Sequence, residues 1–153
     1  MAGPIEIALF EPDIPQNTGA VMRTAACLDA RLHIVEPCGF VLSDARMRRS
    51  GMDYLDHLDW VRHASWDRFH AAMADRRLVL LTTQAAETLP AFEFRAGDVL
   101  LFGRESAGVP EAIHAAADCR VRIPIRADMR SLNVAMSAGI ALAEASRQHR
   151  NNP

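Results

Sequence analysis

The most informative segment of this chain is CRVRIPIRADMRSLNVAMSAGIALAEAS, which runs from Cys119 to Ser146. It begins with apolar side chains at every second position, the pattern of a β-strand with one buried face. Pro124 removes a backbone donor, so we expect the strand to loosen there. After a polar bend at residues 127–133, the sequence predicts a helix rich in alanine, glycine and serine. Because this helix is apolar on nearly every side, we expect it to be buried or covered by a second subunit.

The rest of the chain alternates between short apolar runs and helical patterns. Strands are predicted at residues 5–10, 32–37, 77–83 and 98–103. Helices are predicted after a cap at Asn17 or Thr18, after a cap at Ser65, and from Pro110 as the first helical residue. Strands that alternate with helices predict an α/β domain with a mostly parallel sheet flanked by helices. A chain of 153 residues forms one domain; we expect its core at about residues 5–147 and a frayed C-terminal tail.

Composition excludes several classes of protein. No apolar run approaches the roughly 20 residues that span a bilayer, and Glu6 interrupts the first apolar run, which is unlike a secretory signal. The three cysteines form no CxxC pair and fit a reduced, cytoplasmic protein. The six histidines show no HxxxH spacing, so we expect no metal. A net charge of −2 argues against non-specific nucleic-acid binding, although all 17 cations are arginine, which suits phosphate contacts.

Three polar loops, PDIPQNTG, GRESAG and RADMRSLN, each follow an apolar strand. The carboxyl ends of parallel strands are where open α/β sheets bind ligands. The residues alone leave two interpretations for each loop. The glycines form a structural turn or approach a ligand, Arg23 lies on the surface or near a phosphate, and Asn133 caps a helix or belongs to a site. Neither GxGxxG nor a Walker sequence occurs, which disfavours a dinucleotide site or a P-loop.

Taken together, three signatures carry a family resemblance: IPQNTGAVMRTAACL, LLFGRESAGVP and VRIPIRADMRSLNVAMS. The chain resembles the SPOUT superfamily of S-adenosylmethionine-dependent RNA methyltransferases over about residues 5–147. The pieces FEPDIPQNTG, LHIVEPCGF, RMRRSGMDY and LLTT make it most similar to the small TrmL branch, which 2′-O-methylates the tRNA wobble nucleotide. The resemblance implies a homodimer with a deep C-terminal trefoil knot, and the cofactor bent in the knot loops.

The resemblance also assigns roles to individual residues. Catalysis is expected to rest on Arg23 and Asn17, with Glu105, Ser131 and Asn133 shaping the site. The S-adenosylmethionine pocket is expected to include Leu81, Thr82, Thr83, Gly103, Gly108, Ile123, Ser131 and Leu132. Arg46, Arg48, Arg49 and Arg130 are expected to line a groove for the anticodon stem of tRNA.

The function that follows is 2′-O-methylation of the ribose of cytidine or uridine 34, in leucine tRNAs. Two departures from the family pattern bear on it: Arg104 stands where many relatives place proline, and Val-Ala-Met-Ser follows Asn133 in place of Leu-Ser-Asn-Ala. Three alternatives remain open. They are a sister methyltransferase acting at another tRNA or rRNA position, a dimeric RNA-binding protein with degenerate catalysis, and a flavodoxin-like nucleotide enzyme.

Overall fold

The computed structural model describes residues 3–43, 45 and 53–150. Within these ranges the chain forms six β-strands and four α-helices. The strands are β1 (Glu6–Phe10), β2 (Leu32–Val35), β3 (Trp60–His63), β4 (Leu78–Leu81), β5 (Val99–Phe102) and β6 (Cys119–Val121). The helices are α1 (Pro15–Cys27), α2 (Trp66–Ala72), α3 (Glu111–Ala116) and α4 (Val134–Arg150), and short 3₁₀ helices occur at Asp53–His57 and Leu89–Ala91.

All six strands join one parallel sheet in the order β3-β2-β1-β5-β4-β6. The central strands β1, β2 and β5 are buried along their whole length. Such continuous burial is typical of a parallel sheet covered by helices on both faces. The predicted α/β class with a mostly parallel sheet is confirmed. β1 pairs with β2 on one side and β5 on the other, so the chain reverses its direction of travel across the sheet at β1.

Each face of the sheet has its own apolar core. On one face α1 and α4 pack together through fully buried side chains such as Val21 and Leu142. On the other face Phe69 of α2 and Ile113 of α3 cover the strands. Burial of each large apolar side chain contributes about 1.5–3 kcal/mol to stability. No helix within the described ranges is long and apolar enough to cross a membrane.

The start of α1 differs from the prediction. The helix begins at Pro15, and its N-cap is Ile14, which makes no side-chain cap hydrogen bond. Proline supplies a helical φ angle and lacks a donor that the first turn would leave unpaired. Asn17 and Thr18 are therefore not the cap but lie within the first turn, where the Asn17 side chain is left for another partner. The other predicted side-chain cap, Ser65, is confirmed, because its hydroxyl accepts from the backbone N–H of Arg68 at 3.2 Å.

The C-terminal elements also have different limits from those expected. β6 ends at Val121, and Arg122 makes only an isolated bridge to Thr88, so regular pairing stops before Pro124. The last helix runs on to Arg150, which makes part of the expected frayed tail helical. Gln148 ties this end to the loop before β5, because its amide accepts from Phe94 N–H at 2.8 Å and donates to a carbonyl oxygen at 3.0 Å.

A buried polar chain crosses the sheet under α2. His33 Nε2 donates to Glu6 Oε2 at 2.9 Å, and His33 Nδ1 lies 2.9 Å from His63 Nε2. Arg76 donates to the other oxygen of Glu6 at 3.0 Å. Glu6 and His33 are only 3% and 1% exposed, and both histidine rings pack against Phe69. Burial of these polar groups is tolerated because each is hydrogen-bonded.

Candidate active site

A cavity of about 470 Å³ opens at the carboxyl ends of β4, β5 and β6. Its walls come from the segments that follow these three strands, together with the starts of α1 and α4. Its lining includes apolar side chains such as Ile123 and Leu132 and the hydroxyl-bearing residues Thr82, Thr83 and Ser131. A concave site of this size, mostly apolar with a few polar groups, is typical of small-molecule binding.

Two glycines shape the turn after β5. The backbones of Gly103 and Gly108 are in direct contact, because a Cβ on Gly103 would lie 2.6 Å from the carbonyl carbon of Gly108. The neighbouring Arg104 exchanges two backbone hydrogen bonds with Gly108, at 2.9 and 2.8 Å. Gly108 has a φ of +63°, which favours glycine, and no atom lies within 4 Å of the position that a Cβ would take. The residue lines the cavity, so a ligand can approach its backbone closely. A side chain at Gly103 would force this turn apart.

Asn133 connects two of the polar loops. Its side-chain oxygen accepts from the backbone N–H groups of Ala135 and Met136, at 2.8 and 3.3 Å, and thereby caps α4. Its amide donates to the side-chain oxygen of Asn17 at 2.9 Å. The capping interpretation of Asn133 is confirmed, and the same side chain also bonds to Asn17, a predicted catalytic residue.

A cluster of charged groups lies behind the turn after β5. The backbone N–H of Asp13 donates to Glu105 Oε2 at 3.0 Å, and the Ser106 hydroxyl donates to the Asp13 carboxylate. Burial raises the pKa of Glu105, and the hydrogen bond with the Asp13 side chain raises it further. The pKa of Asp13 is lowered by its hydrogen bonds with Glu105 and Ser106, and also by the charge of Arg104. The proton of this carboxyl pair therefore resides preferentially on Glu105.

The cavity collects most of the residues that the sequence singled out. Those that line it are Asn17, Leu81, Thr82, Thr83, Gly103, Glu105, Gly108, Ile123, Ser131, Leu132 and Asn133. Arg130 lies on the exposed loop between β6 and α4 and does not line the cavity. Arg46, Arg48 and Arg49 lie outside the described residues. Among the described residues, no group of three His, Cys, Asp or Glu side chains is placed to hold a metal ion.

Arg23 also lies away from the cavity, on the exposed side of α1. Its guanidinium carbon sits 4.9 Å from the centre of the Tyr54 ring. A cation over an aromatic face is attracted by the ring quadrupole and loses freedom of movement. The predicted catalytic arginine is therefore fixed on an aromatic surface, with its guanidinium accessible to a ligand.

The sequence analysis missed several residues around the site. Ile125 lines the cavity, and its position in the alternation with Ile123 was a usable signal. Asp13 had no such signal, because an acidic residue between two prolines is common in turns. Nothing local marked Tyr54 either, since its contact with Arg23 depends on how residues 53–57 pack on α1.

Comparison with known proteins agrees with this geometry. The SpoU rRNA Methylase family matches residues 4–143. A tRNA (cytidine(34)-2'-O)-methyltransferase of Beijerinckia indica subsp. indica is 55% identical over 144 residues, which cover 93% of this chain and 90% of that protein. A solved structure described as "Structural insights into the 2-OH methylation of C/U34 on tRNA" has a TM-score of 0.91 at 39% identity, covering 98% of this chain and 99% of that chain.

A more distant structure adds a cofactor. The SpoU methyltransferase AviRb from Streptomyces viridochromogenes, in complex with the cofactor AdoMet, has a TM-score of 0.85 at 28% identity. The match covers 100% of this chain and 60% of that chain. The family match and the near-complete coverage of the relatives lead to one conclusion: this chain belongs to the SpoU rRNA Methylase family.

Proposed function

We propose that this protein transfers a methyl group from S-adenosylmethionine to the ribose 2′-hydroxyl of tRNA nucleotide 34, a cytidine or uridine. The observation that carries the proposal is that one cavity gathers the three motif loops at the carboxyl edge of the sheet. The relatives named for this reaction match this chain over nearly their whole length. A single catalytic domain spanning residues 1–153, acting on tRNA in the cytoplasm, accounts for these matches.

The residues of the cavity fit S-adenosylmethionine. The bare backbone at Gly108 leaves room for close approach of a ligand, and Ile123 and Leu132 offer apolar surface to an adenine ring. The hydroxyls of Thr82, Thr83 and Ser131 suit the ribose and the amino-acid end of the cofactor. When bound, S-adenosylmethionine supplies an activated methyl group on a sulfonium.

The protein contributes position and charge to the reaction. We propose that Arg23 holds an RNA phosphate and stabilises the negative charge that develops as the 2′-hydroxyl loses its proton. Asn17, held by Asn133 at the mouth of the cavity, orients the ribose. Glu105 and Ser131 shape the turn and the third loop around the methyl donor.

We assign substrate recognition to four arginine side chains. Arg130 extends from the exposed loop next to Ser131, and Arg46, Arg48 and Arg49 complete the proposed groove for the anticodon stem. Guanidinium groups form bidentate contacts with phosphates, and these contacts weaken with added salt. Leucine tRNAs are the proposed substrates within this class.

The proposed assembly is a homodimer formed through α4. Met136 and Ile140, one turn apart on this helix, are 63% and 41% exposed, and Leu132 and Met129 in the preceding loop are 39% and 54% exposed. Exposed apolar patches of this kind mark protein interfaces. Met136→Asp combined with Ile140→Asp is expected to leave the fold intact and yield monomers in light scattering. A dimer that persists in this variant would contradict the assignment of the interface.

The deep trefoil knot is also part of the proposal. After β6 at the sheet edge, Arg122 bonds with Glu87 and Leu89 of the loop that follows β4. Residues 123–133 then cross the carboxyl ends of β4 and β5 to reach α4, which packs on α1. This crossing over the neighbouring loops is where a chain that passes through one of them would form the knot.

The test is methyl transfer from labelled S-adenosylmethionine to bulk tRNA, with the modified nucleotide mapped by nuclease digestion and mass spectrometry. We expect a 2′-O-methyl group at nucleotide 34. A mark at another tRNA position or on rRNA would assign the protein to a sister branch. Absence of S-adenosylmethionine binding would contradict the proposed enzymatic function.

Arg23→Ala tests the proposed role of the arginine. We expect a loss of about 100-fold or more in kcat with cofactor affinity unchanged. The matched control is Arg95→Ala, which removes an equally exposed arginine elsewhere on the surface. Near-wild-type turnover by Arg23→Ala would exclude the arginine from catalysis.

A further inference from the structure

Asp13, two residues before α1 begins, contacts the turn after β5. Its backbone N–H donates to Glu105 Oε2 at 3.0 Å, across 92 positions of sequence. Its carboxylate accepts a hydrogen bond from the Ser106 hydroxyl, and Oδ2 of the same carboxylate lies 3.9 Å from the Arg104 guanidinium. One residue thus contacts three consecutive residues of the turn that lines the cavity.

The segment that carries Asp13 is also held from its other side. The backbone N–H of Gly39 donates to Pro12 at 2.9 Å. A Cβ on Gly39 would lie 2.7 Å from the Cβ of Asp13, so the two backbones pack in direct contact. Asp13 therefore has little space in which to move away from Glu105.

The neighbours of Asp13 in sequence belong to the cavity. Ile14 lines it directly, and Asn17 both lines it and bonds to Asn133 of the third loop at 2.9 Å. The start of α1 consequently links the second loop, through Asp13, to the third loop, through Asn17. Methyl transfer requires donor and acceptor to be aligned closely, and misplacement of about 1 Å can cost about 100-fold in rate.

We propose that Asp13 is a positioning residue of the methyl-transfer reaction, which fixes Glu105 and the turn from Gly103 to Gly108 relative to Asn17. The inference rests on the proposed function, because the reaction whose geometry it controls is the one proposed above. Asp13 acts through Glu105 and does not itself contact the reacting atoms.

The charges around the contact make the inference measurable. The titratable groups that interact with Glu105 are Asp13 from the loop after β1 and Cys38 from the loop after β2. Arg104 from the same turn lies next to Asp13, and Glu11 lies next to Arg104. Asp13→Asn removes the side-chain contact that raises the pKa of Glu105 and retains the backbone donor that lowers it. The pKa of Glu105 is therefore expected to fall in this variant.

Glu11→Gln is the matched control. Glu11 Oε1 lies 3.7 Å from the Arg104 guanidinium, much as Asp13 does. This variant removes one carboxylate from the same arginine without removing the contact between Asp13 and Glu105. Asp13→Glu serves as the conservative variant, because it retains the carboxylate on a longer side chain.

The experiment combines an NMR titration of the Glu105 carboxyl carbon with steady-state kinetics on tRNA, cofactor calorimetry and thermal unfolding. For Asp13→Asn we expect a lower Glu105 pKa and a loss of about tenfold in kcat/KM, carried by kcat rather than by KM for tRNA. Glu11→Gln is expected to match wild type in the titration and to stay within about twofold in kcat/KM. Asp13→Glu is expected to recover part of the activity.

Each other outcome overturns a definite statement. An unchanged Glu105 pKa in Asp13→Asn, or an unchanged kcat/KM, would overturn the inference while the proposed function stands. A matching loss in Glu11→Gln would do the same, since the effect would then be general electrostatics. If the wild-type chain transfers no methyl group to tRNA, the proposed function fails and the inference fails with it.

Discussion

The buried polar chain under α2 and the polar loops around the cavity use the same types of side chain in opposite ways. In the buried polar chain, both oxygens of Glu6 are bonded at 2.9 and 3.0 Å, and Glu6 and His33 are almost closed to solvent. Around the cavity, Arg104 lies 3.7 and 3.9 Å from its two acidic partners. Among the described residues, the Nε of Arg104 is buried without a hydrogen-bond partner.

The difference separates a region that maintains the fold from the region that we propose to bind the cofactor and the substrate. Closed hydrogen bonding in a core removes the cost of burying charge and fixes the strands β1, β2 and β3 relative to one another. Incomplete pairing at the cavity leaves polar groups available and keeps the loops dependent on a few contacts. Substitutions in the first region should therefore act on stability, and those in the second on binding and turnover.

The largest effect is expected from Glu6→Ala. The substitution leaves His33 and Arg76 without their shared acceptor, and removal of one partner of a buried pair costs about 3–5 kcal/mol of unfolding free energy. Denaturant titration measures it. The control is Glu36→Ala, which removes an ion pair with the half-exposed Arg62 at 2.6 Å and should cost no more than about 1 kcal/mol. Equal losses in the two variants would remove the distinction between the buried network and a surface pair.

Gly103→Ala is expected to act mainly on cofactor binding. The added methyl would lie 2.6 Å from the backbone of Gly108, so the turn must open and its cavity wall must move. We expect about 100-fold weaker S-adenosylmethionine binding by calorimetry. Gly108→Ala meets open space but keeps a φ of +63°, which should cost about 1–2 kcal/mol of stability. If Gly103→Ala binds the cofactor as tightly as wild type, the close contact does not shape the pocket.

Asn133 allows capping to be separated from the link between loops. Asn133→Ala loses the cap of α4 and the hydrogen bond to Asn17. We expect a decrease of about 1 kcal/mol in stability together with reduced turnover. Asn133→Ser retains a cap acceptor but cannot reach Asn17 in the same way, so stability should recover while turnover stays low. Asn17→Ala keeps the cap and removes the link, together with the proposed contact of Asn17 with the ribose. Thermal unfolding and methyl-transfer rates distinguish the cases, and full activity in Asn17→Ala would show that the link is dispensable.

The smallest effect concerns the pH dependence of stability through His63. Burial and the charge of His33 lower the pKa of His63 below its usual 6.5. The unfolded chain therefore takes up the proton first, and stability present above pH 6.5 falls as the pH drops toward the folded-state value. Glu6, whose lowered pKa results from His33 and Arg76 outweighing burial, adds a second loss below 4.5.

His63→Asn should abolish the first of these two losses and leave the second. Chemical unfolding at a series of pH values between 7 and 4 measures both. The exposed His57 provides the control, and His57→Asn should keep the wild-type dependence. A profile in His63→Asn that still declines just below pH 6.5 would assign that loss to another group.

Local patterns were sufficient for much of the site. Continuous apolar runs identified β1, β4 and β5. The polar loops that follow apolar strands placed Gly103 and Asn133 at one edge of the sheet, whereas Thr82 was expected from the family resemblance. These predictions succeed because strand period, glycine freedom and capping depend on residues that are near in sequence. The start of α1 was misplaced because the local capping preference of Asn17 competed with Pro15, and the fixed φ of proline prevailed.

The contacts that distinguish this molecule lie beyond such patterns. Asp13 meets Glu105, His33 meets Glu6, and Arg23 meets Tyr54 because the sheet has the order β3-β2-β1-β5-β4-β6 and the helices pack on it in one way. Motif chemistry and the positions of most strands are encoded in neighbouring residues, so they could be predicted directly from the sequence. Pairings between distant segments arise only from the balance of packing over the whole fold, which no local window of sequence contains.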